Sequence, residues 1–564
     1  MNEAQSLEPS GITAWMLLGL PLIPLATLAI SEVYLWLYRR AVVRAMAAQR
    51  QSSGATVTAP APPPAPPPPG QVALTVRSID RDTGSDSAGD VLYQRFLRAR
   101  KTTAAVYVAA GLVYAGLMAI AFGMQYGTLS FPEWLAFSVA FAWPAVLSAL
   151  LFNPPRRKRW RAAIVIGYLV VFFLGTLVPT AGWFLFGIFM ANVGATIVSM
   201  VVRARRIHAV APLIGAVLTI GGATLLLLLA VTVFVGDNPA APDGAEMETG
   251  VAFLFFGVLL LVMATGPLTA WFTLRTVAAR YGRKSTSDQA VAMSAFWLTF
   301  AGIQSTTFAF VDARWIIAGL VIFLVFAAAA TTGFWLVRRG TTVGTRAPRL
   351  LVLRVFALGR RSRKLFDRFA TLWRHVGSVQ LIAGPDLASS TVEPHEFLDF
   401  LRRRLGDRFL DSDESIARAL ARLDTDPDPD GRYRITDFIC RDHAWRTVFG
   451  RLAAESDVVL MDLRGFSTAN AGCAYELGAL LDVVPIERVT IIVNQATDED
   501  FLLRTLEQAK ASLHASSPNI AIPVLRVPVF HETGRRSLDP DQLVRLLCEA
   551  AALSRREQVV AHAG

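Results

Sequence analysis

Charge is scarce in this chain. Asp, Glu, Lys and Arg make up 18% of its 564 residues against 53% hydrophobic ones, and the mean hydropathy of +0.43 is too apolar for an ordinary water-soluble protein. Cysteine is nearly absent as well. Cys440, Cys473 and Cys548 all fall late in the sequence, with no CxxC pair and no histidine at zinc spacing, so reduced thiols are expected and no metal site. The motifs HExxH, GxxxxGK[ST] and GxGxxG do not occur, which leaves metalloprotease, P-loop and dinucleotide-fingerprint readings without a motif. Nor does an acid or base fall at the centre of a long apolar run, as ion-coupled transport would require.

What is present is a series of apolar runs long enough to cross a bilayer. They lie near 12–37, 103–123, 131–152, 162–178, 183–202, 209–235, 250–274, 290–310 and 315–337, about nine in all, with eight or ten as alternatives. Loops on one side carry Arg39 and Arg40, then Arg156, Arg157, Lys158 and Arg159, then Arg203, Arg205 and Arg206, then Arg275, Arg280, Arg283 and Lys284. The other side offers Glu3, Glu8, Asp237, Asp243, Glu246 and Glu248, with Arg314 as its lone cation. That alternation predicts an N-terminus outside and a C-terminus inside the plasma (inner) membrane. It also accounts for the net charge of +11 without a nucleic-acid partner. The first 11 residues hold acids and no Lys or Arg, so the first run reads as a retained anchor and not a cleaved signal.

The expected organisation is an anchor at 1–38, a cytoplasmic Pro-rich linker at 39–102, a helical membrane domain at 103–338 and a cytoplasmic α/β domain at 345–564. The linker's APAPPPAPPPPG, residues 59–70, predicts a stiff polyproline II spacer, with a docking site for a proline-recognition module as the alternative; the Ser, Asp and Gly residues that follow, to Asp90, read as disordered. Asn192 and Gln304 are neutral polar groups of the kind that join helices, Glu32 can snorkel, and Pro24, Pro144 and Pro267 can kink.

From Arg349 short apolar strands alternate with amphipathic helices, the pattern of a parallel sheet with crossover connections. Strands are expected at 350–356, 379–383, 458–463, 489–494 and 523–527, five in a doubly wound sheet. Leu365, Phe366, Phe369, Leu372 and Trp373 share a helix face and read as core. The long stretch 384–456 reads as an insertion containing helices, with DTDPDPDG at 424–431 as a turn-rich loop. In strand order 2-1-3-4-5 the ligand crevice lies beyond the first and third strands. That geometry selects Arg360, Arg361 and Ser362 after the first strand, at a helix start suited to phosphate, and Asp462, Arg464, Phe466, Ser467 and Asn470 after the third.

Glu476 follows on the next helix. With Asn470 as N-cap, Cys473, Leu477, Leu480 and Leu481 form the buried stripe and Glu476 its border. A partly desolvated carboxylate there could stabilise positive charge at a ribose anomeric carbon during N-glycosidic cleavage. The structural alternative is a Glu favoured by the helix dipole or paired with an arginine.

The stretch SDVVLMDLRGFSTANAGCAYELGALL, residues 456–481, resembles the strand, loop and WCxxEL-type helix of Toll/interleukin-1 receptor (TIR) domains, and Gly472 to Gly478 is similar to the GxxxELG segment of nucleoside 2-deoxyribosyltransferases. Both resemblances imply a five-stranded flavodoxin-like sheet, and enzymatic members would make Glu476 the catalytic residue, with NAD or a nucleoside as substrate and no separate cofactor. The sequence departs at Gly472, where the TIR motif has tryptophan, and in LRVFAL at 353–358, where an aromatic-Ser-Tyr pattern is usual. A receiver domain would use Asp462 as acceptor, but it needs acids after the first strand, where Ala357, Leu358 and Gly359 stand, and a lysine after the fifth, where Arg526, Val527 and Pro528 stand.

The expectation is a membrane-tethered signalling or defence protein whose TIR-like domain binds or cleaves NAD or a related nucleoside and can form homo-oligomers. The alternatives are a non-catalytic adaptor acting through self-association, and a transporter with a cytoplasmic regulatory domain.

Overall fold

A computed structural model of the chain describes residues 22–52, 72–76, 88–127, 129–152, 158–177, 182–202, 271–310, 315–340, 346–354, 369–383, 409–440, 444–532 and 539–563, with single positions at 210, 214, 257, 397, 400 and 401. The chain divides into two units, Met1–Leu37 with Arg100–Thr342, and Tyr38–Ala99 with Val343–Gly564.

The first unit is helical. Its elements are α1 (Leu22–Ser52) and α2 (Ala88–Tyr126), both of which run across the division, then α3 (Phe131–Phe141), α4 (Trp143–Phe152), α5 (Lys158–Gly175), α6 (Gly182–Val202), α7 (Asp288–Ser305) and α8 (Ile316–Gly340). Two stretches among the described residues are long and apolar enough to cross a membrane, Gly89–Gln125 and Ile317–Arg339, and a third is added if α3 and α4 are one broken span. About nine were expected, and the described residues show far fewer, for identifiable reasons. The runs at 209–235 and 250–274 lie almost wholly outside the described residues. The run at 131–152 is bent by 44° between α3 and α4, where Pro144 has no N–H for the helical ladder. Helix α5 opens on Lys158, Arg159 and Arg161, and α6 has an apolar stretch of only Phe184–Met200.

Three polar side chains inside this unit form one chain of hydrogen bonds. Tyr114 Oη donates to Gln304 Oε1, Gln304 Nε2 donates to Asn192 Oδ1, and Asn192 Nδ2 donates to the Ala140 carbonyl, each at 2.8 Å. The chain of bonds joins α2, α7, α6 and α3, the joining role expected of Asn192 and Gln304. Beside it Trp297 stacks on Phe326 at 4.2 Å and meets Tyr114 edge-on at 5.3 Å. Gly111 leaves the room for this, since a Cβ there would lie 2.5 Å from Trp297 Cη2.

The second unit is built on one fully parallel sheet of eight strands: β1 (Val72–Val76), β2 (Arg349–Arg354), β3 (Ser378–Ala383), β4 (Phe409–Leu410), β5 (Ile435–Cys440), β6 (Val458–Asp462), β7 (Val489–Asn494) and β8 (Leu525–Glu532). Their order is β1-β8-β7-β6-β2-β3-β5-β4. The five expected strands are β2, β3, β6, β7 and β8, and they stand in the expected 2-1-3-4-5 arrangement at the centre. The count of five is corrected to eight. Strands β4 and β5 come from the stretch read as a helical insertion, which also holds α9 (Asp413–Ala421). Strand β1 comes from the linker read as disordered, and it pairs Val72 with Leu525 through Val76 with Val529.

Sheet interiors such as Leu350, Leu351, Val352 and Leu353 are buried, as fits strands covered on both faces. One core is closed by α10 (Trp445–Glu455), α11 (Ala471–Val483) and α12 (Glu499–Ala511), whose Val448, Leu452, Leu477, Leu480, Leu502 and Leu506 meet the sheet. Phe369 and Trp373 are core residues, as read, and Leu372 is half-buried; Leu365 and Phe366 lie outside the described residues. Helix α13 (Pro540–Ala563) ends the chain's described part. The DTDPDPDG turn carries the Asp-x-Asp-x-Asp-Gly spacing of a calcium loop, with Gly431 left-handed at φ +79°. An arginine nevertheless answers its central acid: Arg434 Nη2 lies 2.7 Å from Asp428 Oδ1. Among the described residues no group of three His, Cys, Asp or Glu could hold a metal.

Candidate functional site

Strand order reverses at β2, which lies between β3 and β6, so the crevice opens beyond the carboxyl ends of β2 and β6. Arg360, Arg361 and Ser362, expected on the β2 side, lie outside the described residues. The β6 side is described in full.

Asp462 is the last residue of β6. It takes two hydrogen bonds from Arg464, Nε to Oδ1 at 2.8 Å and Nη2 to Oδ2 at 2.6 Å, while Arg464 Nη1 reaches Glu532 Oε2 at the end of β8, 3.0 Å away. Arg464 is only 2% exposed. Burial alone would lower the guanidinium's pKa, but the bonds and charges of Asp462 and Glu532 outweigh it and hold it above its ordinary value. Arg464 thus joins the ends of β6 and β8, with β7 between them, and its charge is already answered.

The loop that follows is braced from behind. Gly465 takes φ +72°, a left-handed conformation that glycine allows without strain, and its N–H donates to Asn494 Oδ1 at 3.0 Å. Phe466 is buried against Phe501 with ring centroids 5.2 Å apart, so it is core and not a ligand platform. Thr497 Oγ1 donates to the Leu463 carbonyl at 3.0 Å, and Asp498 N–H to the Phe466 carbonyl at 2.9 Å. Asn470 holds the N-cap position of α11, yet its side chain turns back to accept from Ser467 N–H at 2.9 Å and makes no cap bond. Sequence reading missed Asn494, Thr497 and Glu532; the short NQATD turn at 494–498 is the signal that could have shown the first two.

Glu476 sits in the second turn of α11. Cys473, Leu477, Leu480 and Leu481 face the sheet as expected, but Glu476 is inside the buried stripe and not at its border, with 4% exposure. Among the described residues Oε2 has no hydrogen-bond partner. Burial raises the carboxyl pKa from 4.5 to about 8, so the group is largely neutral at pH 7. Helical side chains lean toward the helix N-terminus, which follows β6, and this inclines the carboxyl toward the strand ends. Next to it Tyr475 is exposed, edge-on to Trp445 of α10 at 5.4 Å and covered by Arg446 at 4.5 Å. Burial pushes the Cys440 thiol up to about 12, far from a reactive thiolate.

The arrangement offers one uncommitted acid in a low-dielectric setting behind a rigid loop. No family model, curated protein or solved structure matches this chain, so the site is read from its own geometry.

Proposed function

We propose that this is a membrane-tethered signalling or defence protein, N-terminus outside and with about nine spans, whose cytoplasmic α/β unit binds NAD or a related nucleoside and cleaves its N-glycosidic bond with Glu476. The single observation that carries the reading is the buried Glu476 carboxyl without a hydrogen-bond partner among the described residues. Buried polar atoms left unpaired are costly, and such strain is found where a ligand completes the site. A ligand with positive charge, or one that develops it at the anomeric carbon, would draw the proton off Glu476 and leave a carboxylate facing the cation. Water then adds to the anomeric carbon as the C–N bond breaks; with NAD the products are nicotinamide, ADP-ribose and a proton.

The test uses full-length protein in lipid nanodiscs, because β1 belongs to the sheet. Incubation with NAD and with purine and pyrimidine nucleosides should release base, and Glu476→Ala should abolish release. Absence of release from the wild type at high surface density would sink the enzymatic reading.

A second reading, an adaptor acting through self-association, draws support from the exposed tip Thr468 and Ala469 on a loop braced by Asn494 and Thr497. It expects Glu476→Ala to keep function and Thr468→Arg to lose it.

A further inference from the structure

Two tryptophan–arginine pairs of the helical unit have no part in the site above. On α8 the Arg339 guanidinium lies 3.7 Å from the centre of the Trp335 ring, and in the helical stretch 271–282 Arg275 lies 5.0 Å from the centre of Trp271. Each pair is spaced i, i+4, which puts both side chains on one helix face. Both rings point outward, with Trp335 48% and Trp271 57% exposed. Neither Arg275 nor Arg339 has an acidic partner among the described residues.

A guanidinium over an indole ring is attracted by the ring's face, and its forked N–H groups suit a phosphate held by two parallel bonds. Directly beside the rings are Phe272 and Leu336, both exposed, so the cation borders an apolar surface. A free anion has no use for that border, whereas an amphiphile whose phosphate meets the arginine and whose acyl chains meet the apolar residues fits both halves. Indole itself favours the headgroup layer. Trp160, exposed between Arg159 and Arg161, repeats the composition at the start of α5.

We propose that Trp271–Arg275 and Trp335–Arg339 are seats for anionic phospholipid headgroups on the helical unit. The partner is a phospholipid with net negative charge, recognised through its phosphate and chosen over a zwitterionic lipid because, among the described residues, no acid is paired with either arginine to meet a choline or ethanolamine cation.

The experiment is native mass spectrometry of the full-length protein released from nanodiscs of phosphatidylcholine with one-fifth phosphatidylglycerol. Wild type should retain phosphatidylglycerol above its share of the bilayer, and the double variant R275Q/R339Q should lose about threefold or more of that enrichment. R275K/R339K keeps the net charge and gives up the forked, stacked cation, so it should lose part of the enrichment while controlling for folding. Inorganic phosphate at 10 mM, roughly ten times the lipid, should not compete. Equal retention by wild type and R275Q/R339Q would overturn the proposal, as would displacement of the lipid by inorganic phosphate, which would mark the arginines as general anion sites.

Discussion

Glu476 and Arg464 stand twelve residues apart and carry their charge in opposite ways. Glu476 holds its proton in the fold to about pH 8, against an ordinary value of 4.5. Below about 4.5 both folded and unfolded chains are protonated there; between 4.5 and about 8 only the folded chain is. The fold then binds the extra proton, so stability falls as pH rises across that window, by up to about 1.4 kcal/mol per pH unit from this residue. Glu476→Gln removes the titration. Urea unfolding of the α/β unit's signal should show wild type losing stability relative to the Gln variant from pH 5 to pH 8, and a constant difference would refute the protonated carboxyl. Arg464 shows the opposite case. Arg464→Ala leaves Asp462 and Glu532 facing each other's charge near the sheet end, and should cost about 3 kcal/mol in the same assay. The helical spacing of Cys473, Leu477 and Leu480 placed Glu476 only at the border of the buried stripe; its full burial and its lack of a partner among the described residues were not legible, the second because it depends on what Arg464 does. The DxR spacing hinted at half of that. The other half, Glu532, lies on a strand 68 residues away, beyond any local pattern.

Among the elements, the central strands could be read because LLVL, VVLM and TIIV are apolar runs of strand length between turns. Strand β5 escaped because Thr436 and Asp437 interrupt ITDFIC, and β1 because five residues beside a polyproline tract have no pattern of their own. Pro528 lies inside β8, where a proline normally belongs to a sheet edge, yet β8 has β1 on its far side, with Thr75 opposite Pro528. Leu74→Pro would set a proline, which disfavours strand pairing, in the middle of β1. It should lower the unfolding midpoint of the unit and raise protease sensitivity at β8, as should a fragment that begins at residue 345, and unchanged midpoints would show that β1 contributes nothing. In the helical unit the comparable element-level contact is the Tyr114, Gln304, Asn192 chain. Gln304→Leu strands the Tyr114 hydroxyl and the Asn192 carbonyl, and thermal unfolding in detergent should show a loss of about 1 kcal/mol.

For the molecule as a whole, hydropathy sorted the chain into a membrane half and an α/β half, and two to three helices fit to cross a bilayer agree with that at a coarse level. The boundary was harder to see. Segments are assigned to units by what they pack against, and Tyr38–Ala99, which precedes most of the membrane half in sequence, clusters with Val343–Gly564. Asp90 accepts from Arg545 at 3.2 Å, Phe96 lies 6.3 Å from the His375 ring, and Gly89 meets Glu549 so closely that a Cβ would fall 2.7 Å from its Cα. Composition cannot announce such long-range packing.

Biosynthesis feels that arrangement directly. Val72 leaves the ribosome about 450 residues before Leu525, the residue it pairs with, and at about 5–20 residues per second this leaves β1 waiting for tens of seconds. Throughout that interval the candidate membrane helices in between are being synthesised, while VALTV has no strand to pair with. The polyproline run just before it, which cannot extend a β ladder, is well placed to keep that strand from pairing with the wrong neighbour.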